Sequence, residues 1–128
     1  MGKIYKTLIF DNRISLAVLD TTDVVNEAIK IHGLSPVCAA ALGRTLTATA
    51  FMASCLKDEN SKLSVTIDGG GLGGKIVTAG NANGNVRGCI YNPQVDAPLK
   101  KNGKLDVSAV VGKNGYITVV KDLGMKEP

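Results

Sequence analysis

The stretch Ser35 to Leu56 constrains this chain more than any other part of it. It is apolar or small on nearly every side, and Arg44 is its only charge before Lys57. A surface helix carries a polar face, and this one does not. Ser35 is a natural N-cap, because its hydroxyl can accept from first-turn N–H groups. Pro36 then falls at the first helical position, where its fixed φ helps and its missing N–H costs nothing. The run therefore reads as a helix covered by protein over most of its circumference. A membrane span would need about 20 strongly apolar residues. Here the central Arg44, the hydroxyls and many Ala dilute the run. Its small residues, Gly43 among them, let neighbours approach the backbone, while Leu42, Leu46, Phe51 and Met52 fill the remaining space.

The rest of the chain supplies what could cover such a helix. Lys3 to Phe10 and Ile14 to Leu19 read as strands joined by Asp11-Asn12-Arg13. In the second, Ile14, Leu16 and Val18 alternate with Ser15 and Ala17, as a half-buried strand does. A first helix, capped by Thr22 or Asp23, runs to Ile31, with Val25, Ala28, Ile29 and His32 as its apolar stripe and Gly33 as its terminator. Beyond the polar loop 57–62 the pattern turns to strands. Leu63, Val65 and Ile67 alternate with Ser64, Thr66 and Asp68. Lys75 to Ala79 and Val86 to Tyr91 flank Asn83-Gly84, a tight hairpin signal with φ > 0. Asn92 to Leu99 holds two prolines and reads as a loop. Leu105, Val107 and Ala109 suggest another strand or a short irregular extension, and Asn114-Gly115 a turn into a last strand, Tyr116 to Lys121. Strands, two helices, then strands predict an α+β fold, with the central apolar helix packed between β-sheet layers.

Composition bounds the rest. A chain of 128 residues has room for one core, so a single domain over 1–128 is expected. The net charge of +4 comes without a Lys/Arg cluster or interleaved aromatics, so no nucleic-acid partner is read from it. Cys38, Cys55 and Cys89 are odd in number and widely spaced, which fits neither a zinc site nor a disulfide framework. All three read as packing residues in a reducing compartment. Lys3 and Lys6 precede only the short apolar run Leu8-Ile9-Phe10, which is no signal peptide, and a cytoplasmic chain without a membrane partner is the expectation.

Few residues offer chemistry. Gly69, Gly71 and Gly74 satisfy G-x-G-x-x-G after a strand, but a dinucleotide site needs a helix to begin there, and Lys75 to Ala79 reads as strand. A hairpin connection explains the run better. His32 is the only histidine, which excludes a His-based triad or a His-rich metal site; at a helix end it suits the negative dipole. Arg44, if buried, must find a partner, and Asp68, Asp96, Asp106 and Asp122 are the candidates. A structural ion pair is the plain reading and an anion site the sharper one. No catalytic, cofactor-binding or metal-ligating residue is assigned, and no enzyme is read. The alternative is a small ligand-binding or enzyme domain using Gly69 to Gly74 and Arg44.

One collinear set of motifs goes further. Ser35-Pro36, Ala40-Ala41-Leu42-Gly43-Arg44, Leu46-Thr47-Ala48 and Met52 resemble the central helix of the thirty-three-kilodalton heat-shock protein family, the redox-regulated holdase chaperones of bacteria. The similarity continues through Gly69-Gly70-Gly71, Gly84-Asn85-Val86-Arg87-Gly88, Asn92-Pro93, Val95-Asp96 and Pro98-Leu99. It closes with Gly103-Lys104-Leu105-Asp106-Val107, Val111-Gly112-Lys113, Lys121-Asp122-Leu123-Gly124 and Lys126-Glu127-Pro128. The resemblance implies an ATP-independent chaperone that binds unfolding client proteins and works as a homodimer once oxidised. It also implies a zinc site of four cysteines in a C-terminal region, whose oxidation releases the metal and unfolds the segment around it. None of Cys38, Cys55 or Cys89 matches those positions. The chain is expected to be the family's N-terminal core domain, lacking the zinc and redox-switch region.

Overall fold

Described over residues 2–124, the chain in this computed structural model builds two sheets and three helices. Strands β1 (Lys3–Ile9) and β2 (Ile14–Asp20) pair antiparallel, with Lys3 opposite Asp20 and Ile9 opposite Ile14. Helices α1 (Thr22–His32) and α2 (Pro36–Ser54) follow. Strands β3 (Lys62–Gly70), β4 (Ile76–Asn81) and β5 (Val86–Ile90) form an antiparallel meander. After helix α3 (Val107–Val111), β6 (Gly112–Asp122) returns to the free side of β3. The sheet order is β5-β4-β3-β6, which leaves β5 and β6 as its edges.

α2 forms where its sequence predicts, although Phe51, read as a space-filling residue, is 40% exposed. Ser35 caps the helix, accepting from the Cys38 N–H at 3.3 Å while its hydroxyl donates to Val95 O at 2.6 Å. Val37, Cys38, Leu42 and Leu46 are buried against Ile76, Ile90 and Val110 in the main core. Ala53 joins Leu63 and Val65 in a smaller cluster at the far end. The hydroxyls of this apolar helix are satisfied internally: Thr45, Thr47 and Thr49 donate to Ala41 O, Gly43 O and Thr45 O at 2.8–2.9 Å. Thr49 also shares a hydrogen bond of 2.6 Å with Thr78 on β4, across the buried helix–sheet contact. Buried polar groups stay inexpensive only when paired in this way. On the flank, α1 lies close enough for Val25 to sit over Gly43, and Thr21 and Thr47 share a hydrogen bond of 2.7 Å.

The α+β fold with α2 at its centre is the one predicted, but the two layers are unequal. The four-stranded sheet runs under the helix; the β1–β2 hairpin meets it near Ala50 and Ser54, where Lys6 Nζ donates to Ser54 O at 3.1 Å. Arg44, Ala48, Phe51 and Cys55, spaced at helical intervals, remain exposed along the side of α2 away from the sheet.

Four local expectations need correction. The Leu105 to Ala109 segment is no strand: Asp106 caps a short helix, accepting from Ala109 N–H and Ser108 Oγ, and Val107, Val110 and Val111 turn inward at helical spacing. Asn114-Gly115 is no turn but part of β6, where the ladder shifts register opposite Asp68 to Gly70. α1 is not capped by Thr22 or Asp23; the Asp20 carboxylate accepts from the Thr22 N–H at 3.1 Å and its hydroxyl at 2.6 Å. The Asn83-Gly84 hairpin is tight, yet only Gly84 has positive φ (88°). Gly84 N–H donates to Asn81 O and Asn81 N–H to Asn85 O, the pattern of a type I turn closed by a glycine bulge.

Candidate functional site

The glycine run serves packing. A Cβ at Gly69 or Gly71 would run into the backbone of Val110 to Gly112, and one at Gly73 would meet Val110 and Ile90 side chains. The donors an anion would need are engaged as well. Leu72 N–H donates to Ala109 O (3.0 Å), Gly73 N–H to Val110 O (3.0 Å) and Gly74 N–H to Gly71 O (3.2 Å). Strand β4 starts at Ile76, so no helix N-terminus follows the loop, and the helix end it does meet is the carbonyl end of α3. The sequence reading as a connection rather than a nucleotide fingerprint therefore stands. Arg44 is exposed, so the structural ion pair expected for it is not required: water solvates the guanidinium and no buried charge needs an acid. Neither Arg44 nor Gly69 to Gly74 lines the clefts beside β5 or the one between the β1–β2 hairpin and the end of α2.

Nucleophilic and metal-ligating side chains are scattered. Cys38 is buried, with its thiol near Asn92 O and Val95 O, and Cys89 is half-buried. Cys55 departs from its packing role, because it follows the last turn of α2 and is exposed. Among the described residues, no three His, Cys, Asp or Glu side chains come together as a metal site would need. His32 ends α1 as expected and, like Arg87, lines a cleft of about 470 Å³ between α1 and β5.

What the surface offers instead is apolar area. In the β1–β2 pair, residues directly opposite share a face, which puts Tyr5, Thr7 and Ile9 with Val18, Leu16 and Ile14 on one side. The other side carries Lys6 and faces the end of α2. The first side is open, with Tyr5, Ile14, Leu16 and Val18 all exposed. At the hairpin tip Phe10 is 70% exposed and holds a left-handed φ of 50°, uncommon for a bulky residue. Strand β6 is bare on both faces. Ile117 and Val119 share the core-facing side with Ile67 and Val65 but lie beyond the reach of α2, and Ile117 is 69% exposed. Tyr116 and Val120 cover the opposite face, and Tyr116 is 80% exposed. Exposed apolar patches of this kind mark sites of interaction with other polypeptides or surfaces.

Sequence reasoning placed these strands but missed that they are uncovered. Leu16 and Val18 alternate as a half-buried strand should, and the missing term is the layer that would bury them. A signal existed in β6. Tyr116-Ile117-Thr118-Val119-Val120 puts large apolar groups on both faces, the composition of a strand covered twice.

Comparison with known proteins gives this surface its context. The family model described as Hsp33 protein matches residues 2–128. The 33 kDa chaperonin of Bacillus pumilus is 47% identical over 127 residues, covering 99% of this chain and 43% of that protein. Its counterpart from Clostridium tetani is 46% identical over 126 residues, covering 98% of this chain and again 43% of that protein. The chain thus spans less than half the length of these relatives. Among solved structures, the 33 kDa chaperonin (heat shock protein 33 homologue) of Thermotoga maritima superposes with a TM-score of 0.87 at 33% identity, covering 96% of this chain and 42% of that one. A collinear match over nearly every residue, in sequence and in fold, means that this chain belongs to the Hsp33 family.

Proposed function

We propose that this chain is the client-holding core of an ATP-independent chaperone, binding unfolding polypeptides through uncovered apolar strand surfaces. The observation that carries the reading is the pair of bare surfaces, β6 and the open face of β1–β2, on a fold whose own core is closed around α2. Unfolding proteins expose aliphatic and aromatic side chains, and area removed from water on contact stabilises the complex by about 25 cal/mol per Å². No residue code is needed for this, which suits diverse clients. The glycine loop, with its donors already engaged, supports a holding mode that uses no nucleotide. Relatives named as chaperonins support the same reading. Its finer parts are proposed with it: cytoplasmic location, a homodimeric working form, and redox control by a zinc–cysteine site in the part of the relatives that this chain does not span.

The test is light scattering of a heat-unfolded client, under reducing conditions and without nucleotide, with the chain in stoichiometric amounts. Suppressed aggregation is expected. Undiminished aggregation would remove the holding role from residues 1–128.

A further inference from the structure

We propose that the free edge of β5 is a docking edge, where an extended segment of unfolded polypeptide adds as a further strand beneath α1. The inference rests on the reading above, that the chain binds unfolded polypeptide, and adds where and how the backbone of that polypeptide is held.

The register of β5 carries it. Asn81 N–H donates to Asn85 O (3.1 Å) and Tyr91 N–H to Lys75 O (3.0 Å), which fixes Asn85, Arg87, Cys89 and Tyr91 as the residues bonded to β4. Antiparallel ladders alternate, so the N–H and C=O groups of Val86 and Gly88 point away from β4. Among the described residues no strand lies beyond β5, and no other backbone or side-chain group bonds to these four groups. They present two donors and two acceptors at the spacing that an extended chain satisfies, which is how edge strands capture peptides.

The surroundings select the occupant. A cleft of about 470 Å³ lies along this edge, with Val24, Ala28 and Leu46 as its apolar wall. Ile31, 67% exposed, forms an apolar lip on α1. An added strand would turn alternate side chains toward that wall and their neighbours toward solvent. Asp23 and Glu27 on α1 and Arg87 on β5 bring charge of both signs to the cleft, so its apolar wall, rather than its charge, sets the preference for the incoming side chains. The occupant that fits is an extended segment of unfolded polypeptide with apolar residues at alternate positions facing that wall and polar residues between them facing solvent.

The test follows backbone amides of the chain mixed with reduced, carboxymethylated lactalbumin, a permanently unfolded protein, while retention of that protein is measured in the same sample. Retention with hydrogen exchange at Val86 and Gly88 slowed about tenfold or more, the effect of one or two new backbone hydrogen bonds, is the expected result. Retention without protection there overturns the docking edge and leaves the holding role standing. No retention overturns both. Protection that grows with chain concentration in the absence of lactalbumin would assign the edge to a second copy and overturn the proposal. A backbone-specific check uses a peptide of alternating Val and Lys, N-methylated on one or the other alternate set of amides. Methylating the set that faces β5 should weaken binding about tenfold while the other set has little effect. Equal binding by both peptides would show that side chains alone hold the segment and would sink the proposal.

Discussion

Asp20 shows how single residues set the ends of elements in this chain. Its carboxylate accepts both the N–H and the hydroxyl of Thr22 at the start of α1, and those two hydrogen bonds, hydroxyl first, hold its pKa below the ordinary carboxylate value. A group whose pKa is lowered on folding contributes stability above its unfolded-state pKa and loses it as pH falls through the folded-state one. The thermal midpoint should therefore fall on acidification below the normal aspartate range, and Asp20→Asn should flatten that slope; an unchanged acid slope in the variant would contradict the role. Gly71 is the second such residue. Adding a methyl group there drives a Cβ into the Val110 carbonyl and the Gly112 amide, both backbone atoms that cannot swing aside. Overpacking costs about 1–3 kcal/mol where side chains can adjust, so Gly71→Ala should sit at or above the top of that range in denaturant unfolding. An unshifted midpoint would mean that the loop yields. Neither role was readable in the sequence. A carboxylate two residues before a helix and a glycine run before a strand each fit several local structures, and tertiary approach decides among them.

Legibility changes from element to element for a physical reason. α2 was legible because its signals are local: a Ser-Pro start, apolar content over five turns, and small residues where neighbours come close. The meander β3 to β5 was legible because β3 alternates apolar and polar residues and each joint carries glycine or asparagine. α3 was not, since Val107 to Val111 is five residues long and its spacing fits a strand or a helical turn equally. The exposure of β1, β2 and β6 was not legible either. Alternation says that one face of a strand is apolar but not whether this chain covers it. Those uncovered faces are where the proposed function lives, so the candidate site was the least readable part of the molecule. They also give a test at this scale. Val18→Asp and Ile117→Asp each place a charge on an exposed strand residue outside the packed clusters. Both should leave thermal unfolding within about 0.5 kcal/mol of the parent, as surface substitutions do. Both should reduce the retention of unfolded polypeptide. Full retention by the double variant would move client binding off these strands.

At the scale of the whole molecule, one long apolar helix organises an asymmetric fold. α2 is long and apolar enough to suit a bilayer by composition, yet Val37, Leu42 and Leu46 are sealed against the four-stranded sheet and α3. What remains outside the core is a hairpin with one open face, an edge strand bare on both faces, and an exposed line along α2 that includes Phe51. A molecule arranged this way has a closed core and still carries apolar area on its surface. The most direct measurement of whether clients bind there places a photo-activated cross-linker at Val18, at Ile117 and, as a control, at Asn102 in the polar loop before α3. An unfolding client is then added under reducing conditions. Adducts from positions 18 and 117 with little from 102 are the predicted result. Adducts only from 102, equally from all three, or from none would contradict the account.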